Sequence, residues 1–376
     1  MLSWRSAIPI STSSPNSRDN RSRKKVCRRL PEKHNGMIAV KYSPYTLRFK
    51  ERAVTSRDSL TSKEIYVLEI ESPELPGGKA TGEVAMFRGL SAEDTPDFPR
   101  QLDLACRKAS EASSIEEMMA GLPEISSIRF GFESALIRAR RLDLFDEAKA
   151  WLREGVTING LVWMGDKATM RRRIAQKIEQ GFHCVKLKIG GIDFNDEEEL
   201  LREIRKEFSP ADIELRLDAN GSFTPGNAME RLERLARYEI HSIEQPVKPG
   251  QWDVMARLCS ESPIPIALDE ELIGFRDREF KVRMLSALKP RYIILKPTLC
   301  GGFRQAEEWI AVARQLGIGW WSTSALESNI GLEALTLWTA SLRPTMPQGL
   351  GTGELYLNNF PSALCRCGEK LKLAVD

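Results

Sequence analysis

Residues 184–220 read CVKLKIGGIDFNDEEELLREIRKEFSPADIELRLDAN, and this stretch decides the fold. Cys184–Ile189 and Glu214–Ala219 are short, apolar-rich runs of the kind that form buried strands. Between them, Asp196–Glu207 places its apolar residues at helical spacing. Strand, helix and strand in close succession make a unit whose two strands lie parallel, because a helical crossover returns the chain to the same edge. Both strands end in charged residues, Lys186-Leu187-Lys188 and Asp218-Ala219-Asn220.

Outward from this unit the alternation continues. Further strands are expected at Thr157–Met164, Ile240–Gln245, Ile264–Asp269, Tyr292–Lys296, Gly319–Ser324 and Gly349–Thr352, with amphipathic helices such as Pro225–Arg237 between them. Eight strands alternating with helices predict an α/β fold, a parallel (β/α) barrel of the TIM type. No GxGxxG or GxxxxGK[ST] follows any of these strands, so dinucleotide and P-loop chemistry find no support. Upstream, Met37–Lys50, Glu64–Ser72 and Thr81–Phe87 read as a meander, followed by helices at Asp97–Lys108, Ser114–Gly121 and Ser126–Arg141. The predicted organisation is a disordered basic extension over 1–36, an α+β capping domain over 37–150 and the barrel over 151–355. A C-terminal tail, 356–376, is expected to pack on the cap.

Barrel active sites are built at the C-terminal ends of the strands. Here those ends carry Lys188, Asp218, Glu244, Asp269, Lys296 and Ser324, one functional group per βα unit. Asp218, Glu244 and Asp269 come from neighbouring strands and would converge. Three carboxylates share such a space only around a cation, and all-oxygen ligation suits Mg²⁺, with Mn²⁺ as the alternative. Lys188 and Lys296 flank the cluster from opposite sides. A lysine beside another cation, here Lys186 and the metal, has its pKa lowered and can serve as a base. The chemistry that fits is removal of a proton next to a carboxylate, with the metal stabilising the resulting enediolate. A lone KxK or a lone strand-end Asp is usually a solvated edge or a helix cap; the regular spacing of five such elements carries the functional reading.

Composition sets the boundaries. The 376 residues are 42% hydrophobic and 28% charged, as in an ordinary globular enzyme, and no run approaches a membrane span. Residues 1–36 hold nine basic and two acidic side chains, so the net +3 conceals a mildly acidic body of −4. A nucleic-acid partner therefore has no support, and the extension, which lacks a secretory h-region, is read as an unstructured tail with Met37 starting the folded protein. Seven scattered cysteines without CxxC spacing point to a reducing, cytoplasmic setting. With three histidines in the chain, acid–base work falls to Lys, Asp or Glu.

The constellation Lys186-Leu187-Lys188, Asp218-Ala219-Asn220, Glu244-Gln245-Pro246, Asp269-Glu270 and Lys296-Pro297 resembles the enolase superfamily, in its muconate-lactonizing subgroup. The resemblance runs from Met37 to about Pro361. It implies Asp218, Glu244 and Asp269 as Mg²⁺ ligands, Lys188 as the base, Lys296 as its counterpart across the barrel, Lys186 as the group tuning Lys188, and Asn220 behind the ligands. Arg216-Leu217-Asp218 and the run Ser324-Ala325-Leu326-Glu327-Ser328-Asn329-Ile330-Gly331 are most similar to the o-succinylbenzoate synthase family. That likeness implies a lyase of menaquinone biosynthesis, a syn dehydration through an enediolate, and a small-molecule carboxylate substrate. It also implies substrate contacts from Arg216, Asn220, Ser324, Glu327 and Ser328. Backbone approaches are expected at Gly351 and Thr352, and cap-loop contacts at Thr55, Ser56 and Arg57, with a second cap loop at Met86–Gly89. N-acylamino acid racemization or epimerization by two lysines, or cycloisomerization, are the alternatives on the same scaffold, with a non-catalytic barrel more distant. Oligomeric state is left open, a homo-oligomer included.

Overall fold

The computed structural model describes residues 38–54, 59–140 and 152–374. The expected extension 1–36 and the cap-loop residues Thr55, Ser56 and Arg57 lie outside them. Strands β1 (Ala39–Val54), β2 (Ser59–Glu71) and β3 (Lys79–Val84) form an antiparallel meander, and helices Phe98–Glu111, Ile115–Ala120 and Ser126–Ala139 cover one of its faces. Val40, Leu68, Ile70 and Val84 of the sheet bury against Phe98, Leu102, Cys106, Ile128 and Phe132 of the helices.

The helix Ser126–Ala139 joins this unit to the barrel. It crosses β3 so closely that a Cβ on Gly131 would sit 2.3 Å from Val84 Cγ2, and one on Gly82 would sit 2.1 Å from Gly131 O. Glycine at both positions is what lets strand and helix touch. From the same helix, half-buried Glu133 accepts from Phe303 N at the start of helix Gly302–Gln315.

The chain enters the barrel after β4 (Val156–Thr157), which belongs to a separate small sheet, and the barrel sheet runs through β5 (Gly160–Val162), β6 (Cys184–Lys188), β7 (Glu214–Asp218), β8 (Ser242–Glu244), β9 (Ile266–Leu268), β10 (Tyr292–Leu295) and β11 (Gly319–Ser322). Strands β5 to β11 pair in parallel in sequence order. The helix Phe194–Glu207 shows why each crossover forms. Asp193 caps it by accepting from Asn195 N, Asp196 and Glu197 sit in its first turn, Arg205 and Lys206 in its last, and Leu200, Leu201 and Ile204 face inward. Charges of those signs at those ends favour the helix dipole. The parallel sheet wrapped by helices is the α/β barrel expected from the sequence.

The eighth strand departs from expectation. Gly349–Thr352 is not a regular strand; instead Gln348 bridges Ile158 and Gly349 bridges Thr323. Gln348 N donates to Thr157 O (2.8 Å), Asn159 N to Gln348 O (2.9 Å) and Ser324 N to Gly349 O (3.0 Å), which closes the circle with minimal pairing. The glycine at 349 is required because a Cβ there would lie 2.4 Å from Thr323 Oγ1. The tail, expected on the cap, divides. Lys50 N donates to Leu355 O and Leu357 N to Arg48 O, against β1, but β12 (Leu364–Cys367) and β13 (Lys370–Leu373) form a hairpin that joins β4, just before the barrel sheet. No helix among the described residues is long and apolar enough to cross a membrane.

Two predictions follow from the cap–barrel junction. Gly131→Ala should cost about 1–3 kcal/mol, the usual range for overpacking, and lower the thermal midpoint. Burial raises the Glu133 carboxyl to about 7, against its backbone hydrogen bonds. A group that holds its proton longer in the folded chain adds stability at acidic pH and loses it as pH rises. Unfolding midpoints should therefore fall between about pH 4.5 and 7, and Glu133→Gln should flatten that slope.

Candidate active site

Alternation along each strand decides which side chains face the barrel interior. In β6, Val185 and Leu187 point to the helices while Lys186 and Lys188 point inward; in β7, Leu215 and Leu217 point out while Arg216 and Asp218 point in. Asp218 ends β7, Glu244 ends β8, and Asp269 follows β9 directly. One oxygen from each lies within 4.8 Å of the others, and all three residues are buried. Glu244 Oε1 is buried with no hydrogen-bond partner. An orphaned, buried carboxylate oxygen facing two further carboxylates fits a hard divalent cation, for which oxygen is the preferred donor.

Lysines surround the acids. Lys186 Nζ lies 3.0 Å from Asp218 Oδ2 and also donates to Glu244, while Lys296 donates to Asp269 from the far side. Lys188 Nζ sits 2.8 Å from Asp218 Oδ2 and 2.7 Å from Asn220 Oδ1, and 5.7 Å from the centre of the Trp163 ring. Burial lowers the Lys188 amine from the ordinary lysine value; Asp218 opposes this, and the charges on Lys186 and Lys296 reinforce it. Burial alone would lower Lys186 as well, but Asp218 and Glu244 outweigh it and keep that side chain cationic. Burial, with repulsion from Asp218 and Asp269, lifts Glu244 to about 7 despite its Lys186 partner.

The turns behind the ligands are strained. Asn220 and Gln245 take left-handed backbone, at φ 46° and 39°. Strain of this kind persists where surrounding contacts over-determine it, commonly at sites of chemistry. Asn220 Nδ2 donates to Glu270 Oε1 (3.0 Å), and Gln245 Oε1 accepts from Asp269 N (3.2 Å), so each strained residue orients its neighbours.

The cavity above this cluster presents mostly apolar surface, with charged groups among its lining residues. Lys186, Lys188, Asp218, Asn220 and Lys296 line it together with Phe87, Leu90, Leu161, Trp163 and Leu299, and Ser324, Gly351 and Thr352 also border it. Phe87 and Leu90 come from the cap segment after β3. Sequence reading missed Asn159, Leu161 and Trp163, although their period of two along the first barrel strand gives the signal. It also missed Thr323. Asn159 Oδ1 and Thr323 Oγ1 are buried without partners and line the cavity.

Three expected substrate contacts lie elsewhere. Arg216 stands two residues before Asp218, roughly 6–7 Å deeper in the barrel. There its guanidinium lies 4.3 Å from the centre of the Trp321 ring, with Nε bonded to Glu214 and an Nη to Pro347 O. Glu327 is fully buried and accepts from Thr298 and Ser324. Ser328 is fully buried and bonded to Glu83 of the cap. Thr55, Ser56 and Arg57 lie outside the described residues; Val54 O, at the end of β1, accepts from Met164 N (3.2 Å).

A capped barrel with a buried acidic triad set between lysines defines a class of metal-assisted enzymes acting on carbon–hydrogen bonds beside carboxylates. The chain belongs to the enolase C-terminal domain-like family, whose model matches residues 169–359. It is 44% identical over 359 residues to the o-succinylbenzoate synthase of Desulfotalea psychrophila, covering 87% of this chain and 96% of the relative. An L-amino acid-D/L-Glu epimerase of Francisella philomiragia is 30% identical over 302 residues, covering 80% of this chain and 75% of that one. The crystal structure of MenC from Desulfotalea psychrophila superposes with a TM-score of 0.72 at 38% identity, covering 90% of this chain and 100% of that one.

If the triad holds a cation, Glu244→Gln should weaken divalent-ion binding by about 100-fold or more, a larger loss than removing a group behind the ligands gives. Isothermal titration of the purified chain with Mg²⁺ reads this directly, and an unchanged affinity would place the ion elsewhere.

Proposed function

We propose that the chain is an o-succinylbenzoate synthase, which removes water from 2-succinyl-6-hydroxy-2,4-cyclohexadiene-1-carboxylate to give the aromatic acid. The observation that carries this reading is the 44% identity, over nearly the full length of a relative with that name, in a chain that retains the whole lysine–carboxylate constellation. Asp218, Glu244 and Asp269 would hold Mg²⁺, which when bound supplies positive charge opposite the substrate carboxylate.

Lys188 is the base. It is buried, held between Asp218 and Asn220, and faces the cavity, so its amine can take the proton next to the carboxylate. The C–H pair moves toward the carboxylate; then the C–O bond at the hydroxyl carbon breaks, and the hydroxide leaves as water with the proton returned by the Lys188 ammonium. Loss from one face uses one lysine for both transfers. Lys296 stands on the other side as a cation near the ring face, a cation–π role. Trp163, Leu161, Phe87 and Leu299 give the ring an apolar, water-poor enclosure. Asn159 and Thr323, with their unpaired buried oxygens, together with Gly351 and Thr352, are placed to meet polar atoms of the succinyl arm. Removing Lys188 should remove the general base and acid together.

Lys188→Ala should lower turnover of the cyclohexadiene by about 10⁴-fold, at the upper end for general acid–base catalysis, while Mg²⁺ affinity stays within a few-fold. Turnover that survives in Lys188→Ala would refute this assignment. Exchange of the α-proton of N-acylamino acids in deuterated water, without dehydration, would instead mark a two-lysine racemase.

A further inference from the structure

One wall of the cavity is a turn that the barrel does not hold by itself. Ser324, Ala325 and Leu326 follow β11 and line the pocket. Leu326 has a left-handed backbone, φ 64°, which disfavours a residue with a Cβ by about 1–2 kcal/mol. Glycine would relieve the strain, but the Leu326 side chain packs with Leu47, Phe49, Ala85 and Tyr356, so the strain is retained for the contact.

The cap supplies what keeps the turn in place. Lys63 of β2 is buried, and its Nζ donates to Ala325 O (2.7 Å) and Leu326 O (3.0 Å). Tyr356 Oη adds a second donor to Leu326 O at 2.7 Å. The Lys63 ammonium also lies 5.1 Å from the centre of the Phe87 ring, and Phe87 lines the same cavity and packs on the same apolar cluster as Leu326. Glu83 of β3 holds the other end of the turn, accepting from Ser328 N (2.9 Å), Ser328 Oγ and Gly331 N (2.9 Å) at the start of helix Asn329–Ser341. Adjacent cap strands thus grip the carbonyl side and the amide side of one turn. Burying Lys63 is expensive, and the carboxylates of Glu83 and Glu327 oppose that cost. None of these groups reaches the acidic triad, which the barrel strands build alone.

We propose that Lys63 is a positioning residue that fixes the Ala325–Leu326 wall and Phe87, and so sets how tightly the pocket encloses the substrate beyond the reacting carboxylate. The inference rests on the dehydration reading above. The site then has two separable parts: a barrel part that performs the proton transfer and a cap-held part that encloses the rest of the substrate. Loss of Lys63 should weaken binding of ground and transition states alike and leave the chemical step in place, which appears as a rise in KM with kcat retained.

The test is steady-state kinetics of full-length wild type and Lys63→Met on the cyclohexadiene with saturating Mg²⁺. KM should rise roughly tenfold while kcat stays within about threefold. An unchanged KM, or a loss carried mainly by kcat, overturns the proposal. Should Lys63→Met fail to fold, Tyr356→Phe decides the matter, since it deletes one donor to the same carbonyl without touching a charge. It should raise KM about threefold with kcat unchanged, and a KM equal to wild type overturns the proposal. Wild type inactive on the cyclohexadiene overturns the dehydration reading and this inference with it. Active wild type with unaffected variants overturns the inference alone.

Discussion

Three buried carboxylates brought within a few ångströms of one another are the constraint on which the site depends. Asp218, Glu244 and Asp269 can be buried together only if positive charge is buried with them. Lys186 and Lys188, both from β6, and Lys296, from the end of β10, supply part of it. The remainder is visible in the orphaned Glu244 oxygen and in the displacement of that carboxyl to about 7. A divalent cation would offset this shortfall and leave Lys188, the lysine of the three whose amine is lowered by burial, free to exchange a proton.

The same constraint explains the division of labour between the two parts of the chain. Charged groups that must meet are placed on consecutive parallel strands, where spacing is fixed by backbone pairing. The apolar enclosure and the far wall of the cavity are instead shared with the cap, through Phe87, Leu90 and the turn held by Lys63 and Glu83. The glycines at 82 and 131 bring the meander onto the helix that joins it to the barrel, so cap position and pocket shape are mechanically linked.

Much of this was legible in the sequence because strand alternation and one charged residue per βα unit are strong local signals. The barrel, the three acids and the lysines needed no tertiary information. The eighth strand was harder: Gly349-Leu350-Gly351-Thr352-Gly353 lacks the β-branched run of a strand, and closure rests on Gln348 and Gly349 alone. Arg216 was misplaced because a motif was read without its depth; the period of two puts it a layer below Asp218, against Trp321. Ser328 and Glu327 were drawn into the pocket by a motif, whereas Glu83 and Thr298, remote in sequence, are their partners. Lys63 gave no signal in sequence, since a lysine on a strand usually faces solvent.

The central claim is metal-dependent dehydration at the Lys188–carboxylate site. The most direct test follows ultraviolet absorbance as wild-type protein acts on 2-succinyl-6-hydroxy-2,4-cyclohexadiene-1-carboxylate, first with Mg²⁺ and then with excess chelator. Rapid aromatisation that stops on chelation and resumes when Mg²⁺ is restored is the predicted result. No aromatisation with Mg²⁺ present, or a rate indifferent to chelator, would contradict the account.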